Sequence, residues 1–434
     1  MLREKLKLRI KEDKNISFSE YMEIILFDKD YGLYEKEPVL GKEGHFITSP
    51  LVSKHFSHCI AKNYIRVSND EKINYVLEFG AGNAELARDL ILYLKKKKCL
   101  PKRYYFLEKS SKLTKIQKKV VNALELGESV DFIWINKYED LPSEAFIITN
   151  ELFDCIPTEI IKHKNNSFHK AYVNDEFKIS WQEYDLFSEI QAKYLSLPSE
   201  LIDNYLFEFS PAQYDLISNI NRYIDKAYLL IFDYGYSANE LYINDRMNGT
   251  IACIKNHLSD FNPLEDIGEK DVSSFVNFSY LRNILEHNKW SPYAFMSQAN
   301  YLLSYDILND IDIENIGELA SIKKLIMPNL MGEIFKVLIA GKNMKNNSNK
   351  KFIKNDIIVN MILHLVQPFV GGFFKCSRAR SDCPAYPLGK TNRNLNIQNR
   401  IKGGINGRNI IISNRILDLS LYHLLYNFIR GKLP

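Results

Sequence analysis

The sequence has 434 residues, of which 46% are hydrophobic and 25% are charged. These ordinary globular values exclude wholesale disorder, collagen and a coiled coil, and the length predicts two to three domains. The net charge of +4 is unevenly spread, because residues 342–434 hold 16 of the 57 basic residues and 3 of the 53 acidic ones. The tail therefore carries about +13 and residues 1–341 about −9, which predicts two regions with different partners.

The cysteines and the N-terminus bear on the cellular compartment. The six cysteines lie far apart and form no CxxC pair, so a zinc ribbon, a thioredoxin motif and a secreted disulfide framework are disfavoured. The first fifteen residues lack an apolar segment and include Glu4, Glu12 and Asp13, which argues against a mitochondrial presequence. We therefore predict a cytoplasmic protein. We also predict no metal site, since no set of histidines, cysteines and acids has the spacing of metal ligands.

Residues 1–70 are predicted to form a helical and loop-rich N-terminal segment that closes a ligand site on the next domain. Residues 16–28 carry apolar side chains at helical spacing, and Ser17 with Glu20 resembles a capping box. The next stretch is rich in glycine, proline and serine, which is typical of loops. Residues 51–67 then have the pattern of a second helix.

A regular alternation of strands and helices follows and is assigned to one domain, residues 71–341. The predicted strands span 75–79, 104–108, 130–135, 145–149 and 227–234, and helices span 84–97 and 111–126. This alternation predicts an α/β fold with a parallel, doubly wound sheet. Residues 155–226 are too long for a simple crossover, so they predict an α+β insertion between the fourth and fifth strands. Further strands are expected at 250–257 and 333–340, with helices over 271–325.

A glycine turn follows the first predicted strand. Gly80 and Gly82 lie between that strand and a helix, and the acid Glu78 precedes them. Glycines permit a positive φ and a close backbone approach, so the free N–H groups at the helix start can bind a polar ligand. The second predicted strand ends in Glu108, whose carboxylate can hold both hydroxyls of a ribose.

Three interpretations of this turn stay open. An acid, a two-glycine turn and an acid closing the second strand are typical of adenosylmethionine binding. A nicotinamide dinucleotide site shares the ribose acid but prefers the fuller GxGxxG pattern, and no third glycine stands here before Glu85. The third interpretation is a structural turn without a ligand.

Polar side chains also follow the fourth and fifth predicted strands. They are Asn150, Glu151 and Asp154 after the fourth strand and Asp233 at the end of the fifth. Ligands of open α/β sheets bind at this carboxyl edge, so we expect the three acids to line one crevice. The alternatives are a helix N-cap at Asn150 and an ordinary turn over 232–236.

Several sequence blocks resemble, in the same order, those of the MidA-like methyltransferases, whose members include the mitochondrial complex I assembly-factor arginine methyltransferase. The blocks are residues 31–34, 41–50, 77–82, 150–157, 208–211, 232–236, 262–278 and 331–338. A match to any one block is weak evidence for the family, whereas matches to all of the blocks in the same order are specific. The resemblance extends from about residue 17 to residue 338 and does not reach the tail.

The resemblance implies a seven-strand Rossmann-like fold, S-adenosyl-L-methionine (SAM) as cofactor, and methylation of a protein arginine, as on a respiratory complex I subunit. By position it implies a donor site of Thr48, Ser49, Pro50, Glu78, Gly80, Ala81, Gly82 and Glu108, and a catalytic set of Glu151, Asn150, Asp154 and Asp233. His45 and Leu51 replace the aspartate and glutamate that are usual in the family. A non-catalytic SAM-binding assembly module of the same fold is therefore the alternative function.

Residues 342–434 are predicted to form a basic, poorly ordered extension. The apolar stretch 357–374 approaches the length of a membrane span, but Asn360, His364 and Pro368 interrupt it. We expect no stable span, and an interfacial helix or a docking helix stays open. The basic stretch beyond it lacks interleaved aromatic residues, so nucleic acid is not an expected partner. The expected partner is a protein substrate, and a homodimer stays open.

Overall fold

The computed structural model describes residues 1–36, 40–41, 44–309, 311–312 and 314–345. The described residues all lie in the first of the two units into which contacts divide the chain, Met1–Asn360. The fold described below belongs to the first unit. The predictions made for the tail from residue 346 onward, including its apolar stretch, lie outside the described residues.

The described residues contain strands and helices in a mixed order. The strands are β1 (Ile16–Ser17), β2 (Tyr75–Phe79), β3 (Arg103–Leu107), β4 (Asp131–Ile135), β5 (Glu144–Asn150), β6 (Glu159–Lys164), β7 (Ser167–Val173), β8 (Ile179–Glu183), β9 (Tyr205–Phe209), β10 (Lys226–Tyr236), β11 (Ala252–Lys255), β12 (Leu258–Asp260), β13 (Asp271–Ser273), β14 (Val276–Asn277), β15 (Ser291–Ser297) and β16 (Phe335–Lys342). The helices are α1 (Leu2–Asp13), α2 (Phe18–Phe27), α3 (Ser49–Val52), α4 (Lys54–Glu71), α5 (Glu85–Lys96), α6 (Ser111–Asn122), α7 (Pro211–Tyr223), α8 (Ala238–Leu241), α9 (Phe278–His287), α10 (Gln298–Ser304) and α11 (Ile316–Ile326).

The main sheet has the strand order β15-β16-β10-β5-β2-β3-β4. The pairs from β10 to β4 are parallel, and β16 runs antiparallel to both of its neighbours. The predicted α/β class with a doubly wound sheet is confirmed. The sheet has eight strands, because the two-residue strand β14 also pairs with β10. Ala145, Phe146, Ile147 and Ile148 of β5 are all fully buried, as expected for a strand covered on both faces.

Two predicted elements differ from the structure. The helix expected over 51–67 is divided into α3 and α4, because Ser53 has an extended backbone and its hydroxyl accepts a hydrogen bond from the backbone N–H of His55. Strands β13, β14 and β15 lie in the region 271–325, where only helices were expected. Strand β15 pairs with β16, with a β-bulge between Pro292 and Ala294. The partner strand is distant along the chain, as in the pair Ser291 and Gly341, so local periodicity did not reveal β15.

The segment between β5 and β10 forms a second sheet. Strands β9, β6, β7 and β8 pair there in antiparallel fashion, and β1 pairs with β7. The N-terminal segment is thus joined to the insertion by β1. Next to it, the hydroxyl of Ser17 accepts a hydrogen bond from the backbone N–H of Glu20 at 3.2 Å and caps α2, which is half of the predicted capping box.

This architecture brings several loops to one edge of the main sheet. The parallel strands β2, β3, β5 and β10 all end there. Helices α1 and α2 belong to a separate core cluster, where they pack with residues of β7, β11 and β13. No helix among the described residues combines the length and the hydropathy that a membrane crossing requires.

Candidate functional site

A cavity of about 320 Å³ opens at the carboxyl edge of the main sheet. Its walls are the ends of β2, β3 and β5 with the turns that follow them, together with Ala212 and Leu216 of α7. Phe27, Tyr34 and Phe46 of the N-terminal segment also line it. The volume falls in the range of small-molecule sites, and the position is where open α/β sheets bind their ligands.

The glycine turn forms part of the cavity wall. Gly80 and Gly82 have φ values of 63° and 52°, which lie in the left-handed region that favours glycine. A Cβ atom on Gly80 would lie 2.9 Å from Cδ1 of Leu152, and one on Gly82 would lie 2.6 Å from Cδ1 of Leu40. Side chains at these two positions would therefore collide with the cavity lining, and glycine keeps the backbone accessible.

Glu78 and Glu108 line the cavity on either side of this turn. The Tyr104 hydroxyl donates to Oε2 of Glu78 at 2.6 Å, and burial raises the pKa of Glu78 to about 7. Oε1 of Glu108 accepts a hydrogen bond from the backbone N–H of Ser110 at 2.9 Å, and Oε2 accepts one from Nε2 of Gln117 at 2.9 Å. Burial raises the pKa of Glu108, and these hydrogen bonds oppose the rise.

Glu151 lies on the cavity wall with an unusual backbone. Its φ is 51°, which is uncommon for a residue other than glycine and is often associated with functional sites. Its Oε1 accepts hydrogen bonds from the backbone N–H of Ser49 at 3.1 Å and from Nδ2 of Asn150 at 3.2 Å. Burial raises the pKa of Glu151 to about 8. Residues 151–158, all of them described, contain no helix, so Asn150 is not a helix N-cap.

Asp233 and Asp154 have different positions from those expected. Both are buried, and neither lines the cavity. Oδ2 of Asp233 accepts hydrogen bonds from the backbone N–H groups of Leu152 and Phe153 at 3.1 and 2.8 Å. This corrects the expectation that the three acids line one crevice: Asp233 supports the loop after β5 from behind, and only Glu151 reaches the cavity. Burial and the charges of Asp154 and Glu151 raise the pKa of Asp233 well above its usual value.

Of the donor residues predicted just before α4, two line the cavity and one lies behind its wall. Thr48 and Pro50 line the cavity, as does Ala81. Ser49 is fully buried, and its hydroxyl donates to Oε1 of Gln298 at 3.0 Å, so it supports Glu151 and the wall through its backbone. Sequence reasoning missed this contact because Gln298 lies far along the chain.

The two departures from the family pattern lie outside the cavity wall. Nδ1 of His45 accepts a hydrogen bond from the backbone N–H of Asn256 at 3.3 Å, so His45 joins its loop to the β11–β12 hairpin. Leu51 belongs to α3. Neither side chain is among the residues that line the cavity.

The charges of the lining residues are strongly unbalanced. The acids among the described lining residues are Glu23, Glu78, Glu85, Glu108, Glu151 and Asp215, against the single base Lys109. The ammonium of Lys109 lies 3.3 Å from a carboxylate oxygen of Glu23, so its charge is already paired. Burial raises the pKa of several of these carboxyls, and a cationic ligand would favour their ionised forms, so the cavity favours cationic ligands.

Comparison with known proteins identifies relatives over more than half of the chain. The family model described as "Putative S-adenosyl-L-methionine-dependent methyltransferase" matches residues 57–296. The chain is 25% identical over 317 residues to the mitochondrial protein arginine methyltransferase NDUFAF7 homolog of Drosophila melanogaster, covering 66% of this chain and 70% of that protein. It is 24% identical over 393 residues to protein arginine methyltransferase NDUFAF7, mitochondrial, of Bos taurus, covering 79% of this chain and 85% of that protein.

A solved structure supports the same fold. A COG1565 superfamily member and likely methyl transferase from Burkholderia thailandensis, bound to S-adenosyl-homocysteine, superposes with a TM-score of 0.73 at 23% identity and covers 80% of this chain and 92% of that chain. The relatives also contradict one sequence-based prediction. Both curated relatives are named as mitochondrial proteins, so the predicted cytoplasmic location is wrong. The acidic N-terminal residues on which that prediction rested do not decide the compartment.

Proposed function

Because this chain belongs to the family of S-adenosyl-L-methionine-dependent methyltransferases, we propose that it transfers a methyl group to an arginine side chain of a partner protein. The names of the curated relatives support this acceptor. The observation that carries the proposal is Glu151, an acid on the cavity wall whose carboxylate is oriented by Ser49 and Asn150.

The donor side of the proposal rests on the turn after β2. Gly80, Ala81 and Gly82 present backbone to the cavity, and Glu108 stands at the end of the neighbouring strand. These residues fit the donor, because a carboxylate there can accept hydrogen bonds from two ribose hydroxyls while the turn admits close approach. We assign Thr48, Pro50 and Glu78 to the same subsite. S-adenosyl-L-methionine supplies a methyl group that is already activated by its sulfonium, so the chain mainly positions the reactants.

The acceptor side rests on Glu151. A guanidinium is cationic at neutral pH and its lone pairs are delocalised, so it needs a carboxylate to orient it. Ser49 and Asn150 both donate to Oε1, and we assign Oε2 to the acceptor. As the new N–C bond forms and the S–C bond breaks, the acceptor nitrogen loses one proton. Burial raises the pKa of Glu151 to about 8 in the empty cavity. A bound guanidinium lowers this pKa again, so that the ionised carboxylate can receive the proton.

The remaining predicted residues act indirectly in this proposal. Asp233 holds the loop that carries Glu151 through its bonds to Leu152 and Phe153, and Asp154 packs beside it as a buried neighbour. We propose both as positioning residues. We also retain, as proposals, a covering segment over residues 1–70 and an acceptor on a respiratory complex I subunit.

The test compares protein methylarginine by mass spectrometry in cells with the gene, without it, and with a Glu151→Gln variant. The gene should restore specific methylarginines that its absence removes, and E151Q should not restore them. E151Q should still bind S-adenosylhomocysteine in calorimetry, because Glu151 lies outside the proposed donor subsite.

Glu183→Gln is the matched control, because Glu183 is an exposed acid on β8, and it should restore methylation fully. Restoration by E151Q to the wild-type level would contradict the catalytic role. Binding of S-adenosylhomocysteine without any gene-dependent methylarginine would instead favour the non-catalytic assembly module.

A further inference from the structure

We propose that Gln117 is a positioning residue of the donor site, and that Trp134 holds its side-chain amide in the productive orientation. The inference rests on the proposed donor subsite and deepens it. Neither residue lines the cavity, and neither belongs to the sequence blocks that resemble the family.

Gln117 joins two parts of the donor site that come from different strands. Its side chain is fully buried on α6, the helix that follows β3. Nε2 donates to Oε2 of Glu108 at 2.9 Å and to the carbonyl oxygen of Gly82 at 2.9 Å. One amide group thus connects the proposed ribose carboxylate to the glycine turn.

Trp134 determines which end of the amide faces the donor site. Its indole Nε1 donates to Oε1 of Gln117 at 3.0 Å. An indole N–H can only donate, whereas a carboxylate and a carbonyl can only accept, so a single orientation of the amide satisfies all three groups. The Trp134 ring is itself stacked on Phe106, with ring centroids 4.9 Å apart. The orientation of Gln117 is therefore set from outside the cavity.

The consequence for Glu108 is a carboxylate that cannot rotate freely. The backbone N–H of Ser110 binds its Oε1 and Gln117 binds its Oε2. The lone pairs that remain on the two oxygens have a defined direction before any ligand arrives, and preorganisation of this kind increases affinity because less ordering is needed on binding. A second consequence is that the carbonyl of Gly82 is held, which restricts the turn.

A purely structural role makes a different prediction. If Gln117 only fills the core, its loss should weaken all donor-site ligands alike. If it orients Glu108 toward a ribose, its loss should weaken ligands that carry the ribose hydroxyls much more than ligands that lack them. An analogue that lacks both hydroxyls separates the two cases.

The experiment measures the affinity of the full chain for S-adenosylhomocysteine and for its analogue without ribose hydroxyls. Wild type should prefer the hydroxylated ligand by about tenfold to a hundredfold, the range expected for hydrogen bonds to a charged group. Gln117→Leu should lose most of this preference while its affinity for the analogue changes by less than about threefold. Trp134→Phe, which removes the indole N–H together with part of the ring but keeps an aromatic side chain at this position, should reduce the preference in the same direction by a smaller factor.

Val121→Ala is the matched control, because Val121 is a buried residue one turn further along α6. It should destabilise the protein in thermal unfolding and leave the preference unchanged. An unchanged preference in both Q117L and W134F would overturn the positioning role, as would an equal loss of affinity for the two ligands. Failure of the wild type to bind S-adenosylhomocysteine would overturn the donor site itself, which is a separate result.

Discussion

The pH dependence of the Glu151→Gln variant tests the environment of the proposed catalytic carboxyl. Glu151 has a pKa raised by burial from 4.5 to about 8. In the unfolded chain this carboxyl ionises near its ordinary value, so between these two values the folded state binds more protons than the unfolded state. The stability that the neutral carboxyl contributes is fully present below about pH 4.5 and is lost as the pH rises through about 8. Glutamine at this position does not titrate.

The magnitude follows from the same shift. One pKa unit corresponds to about 1.4 kcal/mol, so ionised Glu151 is roughly 5 kcal/mol less favourable in the folded chain than in the unfolded one. Part of this penalty already acts at pH 6. The stability that wild type loses through Glu151 between about pH 6 and about pH 9 is therefore about 2–3 kcal/mol. The free energy of unfolding of E151Q should therefore rise by this amount relative to wild type over that pH range.

Urea unfolding of both proteins at several pH values between about 6 and 9 measures the difference directly. Taking the difference removes the titration of distant groups that the two proteins share. The control is again Glu183→Gln on the exposed surface of β8, whose difference from wild type should be flat with pH. A flat difference for E151Q as well would refute the reasoning, because it would mean that Glu151 is already ionised throughout this range in the folded protein.

Four further substitutions have defined outcomes. Gly82→Ala should lower the affinity for S-adenosylhomocysteine by about tenfold or more, because the turn is left-handed and the added Cβ collides with the lining. Ala84→Gly is the control in the same segment, since glycine accepts its φ of 64°, and it should keep the affinity. Asp233→Asn should lower kcat with little change in calorimetric donor affinity, because it weakens the support of the loop after β5; a loss confined to donor binding would contradict this. Tyr104→Phe removes a hydrogen bond that lowers the pKa of Glu78, so the loss of donor affinity on acidification should begin at a higher pH than in wild type.

The order of the elements around the donor turn was predictable from local sequence. Strand β2, the glycines at 80 and 82, and helix α5 are adjacent in the chain, and the backbone freedom of glycine is a property of the residue itself. Glu108 was identified for the same reason, since it directly follows β3. Parallel strands also end at a common edge whatever the details of packing, so the location of the cavity followed from the alternation of strands and helices.

Only the tertiary structure shows which residues line the cavity and which support its wall from outside. Glu151, Asp154 and Asp233 are equivalent as sequence features, but the left-handed backbone at Glu151 turns that residue to the cavity while Asp233 binds the N–H groups behind the loop. Nothing in the local sequence marks Gln117, which lies in the lysine-rich helix α6, or Trp134 in the apolar strand β4. Their roles depend on contacts among β3, β4, α6 and the donor turn, because a hydrogen bond joins atoms that are close in space irrespective of their separation along the chain.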